Sequence, residues 1–189
     1  DSIPTSDIDM DILLMGPPGA GKGTQGAILA EALGLPKFAT GDLLRDAVQR
    51  GTPLGLQAKA AMEAGHLVSD GIILGIVREE LGKPEASQGV IFDGVVRTIP
   101  QAEGMAALLA EKGRTLTHVL FFDVTDEEIL GRLEKRRTIE NRKDDDPAAV
   151  AVRLKAYRDQ TAPVLSHFER EGLVRHIPAV GAVDQIALR

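Results

Sequence analysis

Residues 16 to 25 read GPPGAGKGTQ and come directly after the apolar run DILLM at 11 to 15. Four glycines and a lysine within eight positions are poorly suited to the interior of a strand or helix, so the stretch is a tight connection. Placed between a strand and a helix, its backbone N–H groups can wrap a chain of phosphates. Glycine supplies both the φ angles and the close approach this needs. The spacing is that of G-x-x-x-x-G-K, with Lys22 reaching the transferred group. This reading commits the chain to a strand before and a helix after, and so to an α/β architecture. One position departs from the general pattern. Gly23 stands where Ser or Thr would hold Mg²⁺, and the hydroxyl comes one residue later at Thr24. A metal here would be held by phosphates, water and outer-shell carboxylates more than by a loop hydroxyl.

The remaining pattern supports the same class. Apolar runs at Ile12 to Met15, Val90 to Phe92, Val119 to Val124 and Leu173 to Ile177 predict strands, with a weaker one at Lys37 to Ala39. Helical spacing fills KGTQGAILAEAL, IPQAEGMAALLAEK and DEEILGRLEKRR between them. Strand and helix in alternation give right-handed crossovers and a parallel sheet covered on both faces. From Gly41 to Leu81 there are three helix-length pieces and no convincing strand, which predicts a helical insertion between the second and third strands. Asp146-Pro147 starts a long helix toward Gly172, expected to bend or break at Pro163.

Composition narrows the function. With 189 residues and 43% apolar residues, the chain can bury a full core as one domain. A net charge of -6 argues against a general nucleic-acid binder, and 3% aromatics without Trp argue against stacking platforms for single strands. Any basic site must be local. No stretch has the length of an apolar membrane span, the N-terminus lacks a signal-peptide pattern, and cysteine is absent. These features lead us to expect a soluble, cytoplasmic protein without structural zinc, with residues 1 to 9 as a disordered tail or an expression remnant.

Taken together, GPPGAGKGTQ at 16 to 25, TGDLLR at 40 to 45, AGHLVSD at 64 to 70, DGVVRTIPQA at 93 to 102, NRKDDD at 141 to 146 and RLKAYRDQTAP at 153 to 163 resemble the adenylate kinase family, in its order and spacing from about residue 11 onward. The resemblance implies a P-loop three-layer α/β/α fold with a five-stranded parallel sheet. It divides the chain into a core (10 to 38, 69 to 134 and 148 to 189), a nucleoside-monophosphate-binding insertion (39 to 68) and a short lid (135 to 147). It further implies a monomer that transfers the terminal phosphoryl of ATP to AMP with Mg²⁺, giving two ADP, and acts on neither nucleic acid nor membrane.

The same resemblance implies the site residues. Gly19, Ala20, Gly21, Lys22, Gly23 and Thr24 would line the ATP phosphates, and the backbone at Gly181 would meet the ATP base. Arg132, Arg136, Arg142 and Arg153 would surround the transferring phosphoryl and the triphosphate tail. Arg132 and Arg136 are four apart, which puts them on one helix face. On the acceptor side, Arg45 and Arg97 would grip the AMP phosphate, joined by Arg142 and Arg153. Thr40 and Gly41 would contact adenine, His66, Leu67 and Val68 would line the base and ribose, and Gln101 would read the adenine edge. An amide suits adenine because it pairs with a donor and an acceptor together. The segment Gly94, Val95 and Val96 would complete the acceptor pocket. Asp93, with Asp42 as a weaker partner, is assigned to the water shell of Mg²⁺, and Asp144 and Asp145 to pairing with lid arginines on closure.

Two departures matter. The family reads Gly-Phe/Tyr-Pro-Arg where this chain has Gly94, Val95, Val96 and Arg97, so a looser acceptor pocket and weakened catalysis are expected. The connection after Arg137 is too short for the large zinc-carrying lid of longer members. Alternatives left open are a UMP/CMP kinase, from which Thr40 and Gln101 point away, and a weakly active or inactive nucleotide-binding homologue, motivated by Val95-Val96.

Overall fold

A computed structural model of the chain describes residues 9–63, 68–141 and 147–189. Five strands, β1 (Met10–Met15), β2 (Lys37–Ala39), β3 (Gly89–Asp93), β4 (Leu116–Asp123) and β5 (Val174–Pro178), form one sheet in the order β2-β3-β1-β4-β5. Every pairing is parallel. The expected five-stranded parallel fold is therefore present, including the weak three-residue β2. Strand ends differ from the sequence reading by one to three residues, because edge residues such as Gly89 and Asp93 join the ladder through backbone atoms that hydropathy does not register.

The chain leaves β1 toward β2 on one side and later crosses from β3 to β4 on the other. Right-handed crossovers then put the two connecting helices on opposite faces. Helix α1 (Lys22–Leu33) places Leu29 and Ala30 against Ile12, Leu14 and Ile91. Helix α5 (Ile99–Glu111) places Ala102, Met105, Leu108 and Leu109 against Leu13, Met15, Val90 and Phe92. Alternate residues of β1 thus feed two cores, which is why the strand reads as an uninterrupted apolar run. The crossover reversal beside β1 opens a crevice at the C-terminal ends of β1 and β3.

Between β2 and β3 lie α2 (Thr40–Arg50), α3 (Pro53–Glu63) and α4 (Asp70–Leu81), the three helices expected there. After β4 comes α6 (Asp126–Glu140). The Thr125 hydroxyl accepts the N–H of Glu128, and Asp126, Glu127 and Glu128 complement the positive helix start. The chain then continues through α7 (Pro147–Ala156), a π-helical turn (Tyr157–Thr161), α8 (Ala162–Arg170) and, after β5, α9 (Val183–Ala187). The irregularity expected at Pro163 falls in the turn before it. Proline lacks an N–H and its ring crowds the carbonyl four residues earlier, so the widened turn absorbs the misfit while the helix runs on.

At the N-terminal end of the sheet, Asp11 and Arg114 are 1% and 7% exposed. Arg114 Nε donates to Asp11 Oδ2 at 2.9 Å, its Nη2 to Oδ1 at 2.5 Å and its Nη1 to the Ala86 carbonyl at 2.9 Å. Asp11 Oδ1 also accepts the Val90 N–H at 3.0 Å. Charge is balanced one to one and every group has partners.

Candidate active site

The glycine cluster spans the gap between β1 and α1, with φ of 154° at Gly16, 81° at Gly19 and 94° at Gly21. Such angles strain any residue with a Cβ. At Gly19 a Cβ would also come 3.0 Å from Leu133 Cγ of α6, so the loop is pressed against that helix. No side chain caps the start of α1. Its first-turn N–H groups, which an ordinary helix satisfies with a Ser or Asp, are left to an incoming anion.

Lys22, at the head of α1, donates to the carbonyls of Gly16 at 2.8 Å and Pro17 at 3.2 Å. Burial pushes its pKa down from the usual lysine range to about 8. Asp93 opposes that shift, while Arg97, Arg153 and Arg136 add to it. The same fields locate the site. Three helices and a loop bring Lys22, Arg136, Arg153 and Arg97 within electrostatic reach of one another, and Asp93 acts on Lys22 and Arg97. Arg97 in turn has its pKa lowered by burial and by Arg153, with Asp93 raising it. It stays charged at any working pH. Lys22, Lys37 and Arg97 all act on Asp93, so basic groups gather beside the glycine loop, a setting that suits an anion.

Asp93 ends β3 beside β1, its Cα partnered with that of Leu14. A Cβ built on Gly23 would lie 3.8 Å from Asp93 Oδ2, so the carboxylate faces the first turn of α1. Lys37 of β2 approaches it to 4.0 Å and donates to the Gly23 carbonyl at 3.2 Å. Among the described residues no group of three acidic or histidine side chains converges as a metal cage. One carboxylate beside a phosphate loop fits an ion carried in by phosphates and water, and does not fit an all-protein site.

The other residues expected from sequence are distributed around this cluster. Arg132 and Arg136 both lie on α6. Arg132 Nε donates to Glu128 at 3.0 Å, Nη1 to the Ala20 carbonyl at 3.2 Å and Nη2 to the Ala179 carbonyl. It thereby ties the phosphate loop to the loop carrying Gly181, and all three of its nitrogens are committed. Thr24 is exposed in the first turn of α1. Thr40 Oγ1 donates to the Gly94 carbonyl at 3.0 Å, which joins the start of α2 to the segment after β3. Gly41 packs beside the Arg45 guanidinium. That guanidinium is exposed and pairs with Asp42 at 2.5 Å, so the Asp42 carboxylate is turned to Arg45. Val68 is half-buried ahead of α4. His66, Leu67, Arg142, Asp144, Asp145 and Asp146 lie outside the described residues, as does the tail up to residue 8.

Val95 and Val96 are 1% and 2% exposed in the core under α5. Their side chains are spent on the core. Gln101, also buried, spends its amide on protein groups. Its Oε1 accepts the Arg97 N–H at 2.7 Å and its Nε2 donates to Asp70 Oδ1 at 2.7 Å. These bonds use one lone pair and one N–H of the amide. Lys37, Asp70 and Thr161 were missed from sequence. Lys37 reaches Asp93 only because β2 pairs with β3, a neighbour that the order of the chain does not reveal.

Fold and loop together define a P-loop protein of the three-layer α/β class, built to hold polyphosphate at the C-terminal edge of its sheet. A family model described as Adenylate kinase matches residues 14–173. An adenylate kinase of Gemmatimonas aurantiaca is 47% identical, the match covering 94% of this chain and 95% of the relative. One of Methylobacterium nodulans is 46% identical over 94% and 92%, and one of Thermus thermophilus 43% over 97% and 96%. The chain belongs to the adenylate kinase family.

Proposed function

We propose that the chain transfers the terminal phosphoryl group of ATP directly to AMP, reversibly, giving two ADP. The observation that carries this reading is the convergence of Lys22, Arg97, Arg136 and Arg153 on the mouth of an uncapped glycine loop. A phosphoryl group in flight needs its charge spread over fixed donors and both nucleotides held in line, and it needs no protein nucleophile. Lys22 and the α1 N–H groups hold the triphosphate. Arg97 and Arg153 hold the acceptor phosphate, and Arg136 covers the group between them. The base of AMP lies toward Thr40 and Gln101, and that of ATP toward the Gly181 loop, which Arg132 fixes to the phosphate loop. Residues 39 to 68 act as the acceptor-binding insertion and 135 to 147 as a short lid.

Asp93, and more distantly Asp42, would hold Mg²⁺ through water, and the ion would supply charge neutralisation on the phosphate oxygens of ATP. Among the described residues no helix is long and apolar enough to cross a membrane. We place the enzyme in the cytoplasm as a monomer acting on free nucleotides.

A coupled assay with AMP, UMP, CMP and GMP as acceptors tests the assignment, with AMP expected to give the highest kcat/KM. A pyrimidine preference would reassign the substrate. Titration calorimetry is expected to find two nucleotide sites, and room for one alone would end the proposal.

A further inference from the structure

The segment carrying Arg97 begins at a left-handed glycine. Gly94 has φ of 70°, a conformation glycine enters and leaves at little cost. Val95 and Val96 are anchored in the core by their side chains, and neither restricts φ as a proline ring does. The backbone at Arg97 is fixed by a pair of side-chain hydrogen bonds, one on each flank. Its N–H donates to Gln101 Oε1 at 2.7 Å, and its carbonyl accepts from Thr161 Oγ1 at 2.9 Å. The guanidinium Nε then turns back to the Gly94 carbonyl at 3.0 Å.

Thr161 is 64 residues away in the chain. A threonine within a helix ordinarily returns its hydroxyl to a carbonyl three or four residues before it. Here the hydroxyl is spent across the fold. Thr161 closes the π turn Tyr157–Thr161, two residues before Pro163. One extra residue in a helical turn re-aims the succeeding side chains by about 100°. That change brings position 161 to face the acceptor segment while Val164 and Phe168 of α8 still reach the core. Single π turns of this kind concentrate at functional sites.

We propose that Thr161, presented by the π turn, is a positioning residue for Arg97: it holds the Arg97 carbonyl and so sets where the guanidinium meets the acceptor phosphate. The inference rests on the proposed role of Arg97 in AMP binding. An arginine head on a flexible stem reaches the same point repeatedly only if its Cα is held, and a displacement of about 1 Å in such a group is enough to lose much of its effect.

Thr161→Val keeps the shape and removes the donor, and Thr161→Ser keeps the donor. Calorimetric titration of each with AMP alone and with ATP alone, alongside steady-state kinetics and thermal midpoints, makes the test. The Val variant is expected to bind AMP about tenfold more weakly, the range of one lost hydrogen bond. Its ATP affinity should stay within about twofold and its rise in KM for AMP should exceed any fall in kcat, while the Ser variant stays near wild type. Unchanged AMP affinity in Thr161→Val overturns the proposal. So does equal weakening of both nucleotides, or a Ser variant as impaired as the Val variant. If Thr161→Val does not fold, Thr161→Ala takes its place under the same criteria. Wild-type protein that binds no AMP overturns the assigned function and this inference with it, whereas AMP binding by wild type that is indifferent to position 161 overturns the inference alone.

Discussion

Asp11 and Asp93 lie in neighbouring strands at opposite ends of one sheet, and both are withdrawn from water, yet their surroundings differ in kind. Asp11 meets one arginine, face to face, and both are closed off with every polar atom matched. Asp93 stands among Lys22, Lys37 and Arg97, with Arg136 and Arg153 acting on Lys22 beyond. A balanced pair neutralises itself and can only hold structure together. A gathering of several basic groups beside a glycine loop is instead disposed to take up an anion. Identical side chains thus stand in a closed pair or in a wider basic cluster according to what surrounds them.

The comparison can be broken most decisively at Lys22. Lys22→Ala should lower turnover by about 10³-fold or more, in the manner of removing a principal transition-state donor, while the thermal midpoint stays or rises because a buried charge has gone. Turnover within tenfold of wild type would remove Lys22 from the reaction. At the other end of the sheet, Asp11→Ala leaves Arg114 buried without its partner. It should cost about 3–5 kcal/mol in denaturant unfolding, with kcat per folded molecule unchanged. A loss of activity in protein that remains folded would show that the two ends are not separate.

Arg97→Ala divides the cluster itself. AMP affinity should fall about tenfold to a hundredfold, the range of charge-assisted bonds to phosphate, with a smaller effect on ATP. Equal losses would erase the distinction between donor and acceptor sides. The smallest effect is one of pH. Lys22 has its pKa lowered to about 8 in the free protein, so the charged form that attracts phosphate declines as pH rises through that value. ATP affinity, measured by titration between pH 7 and 9 at constant ionic strength, should drop by about tenfold at most. The folding side has the opposite sign. The folded protein holds fewer protons than the unfolded chain from about pH 8 up to the ordinary lysine range, so the penalty for burying this ammonium, complete at lower pH, fades as pH rises across that window. An ATP affinity that is flat, or that rises with pH, would place the titrating group elsewhere.

How much of this was legible in the sequence depended on whether the signal was local. The phosphate loop could be read because strand, glycines, lysine and helix are contiguous, whereas the three-residue β2, which opens on a lysine, gave only a weak signal. Arg97 and Asp93 could be named because they share one short motif. Relations made by the sheet order and by a single widened helical turn could not be read. Lys37 becomes a neighbour of Asp93 only when β3 inserts between β2 and β1. Thr161 meets Arg97 only when the helix before Pro163 takes one residue too many. Gln101 could be named only through the family resemblance, and its bonds to Arg97 and Asp70 could not be read at all, since helical periodicity says which face a residue occupies and nothing about its partner there.

Arg132 couples two distant stretches of sequence through one planar group, with one hand on Ala20 and the other on Ala179. Perturbing the turn after β5 will therefore be felt more than a hundred residues earlier, in how firmly the glycine loop grips its load. The proposed affinity for a triphosphate tail would in that sense depend partly on residues near Ala179.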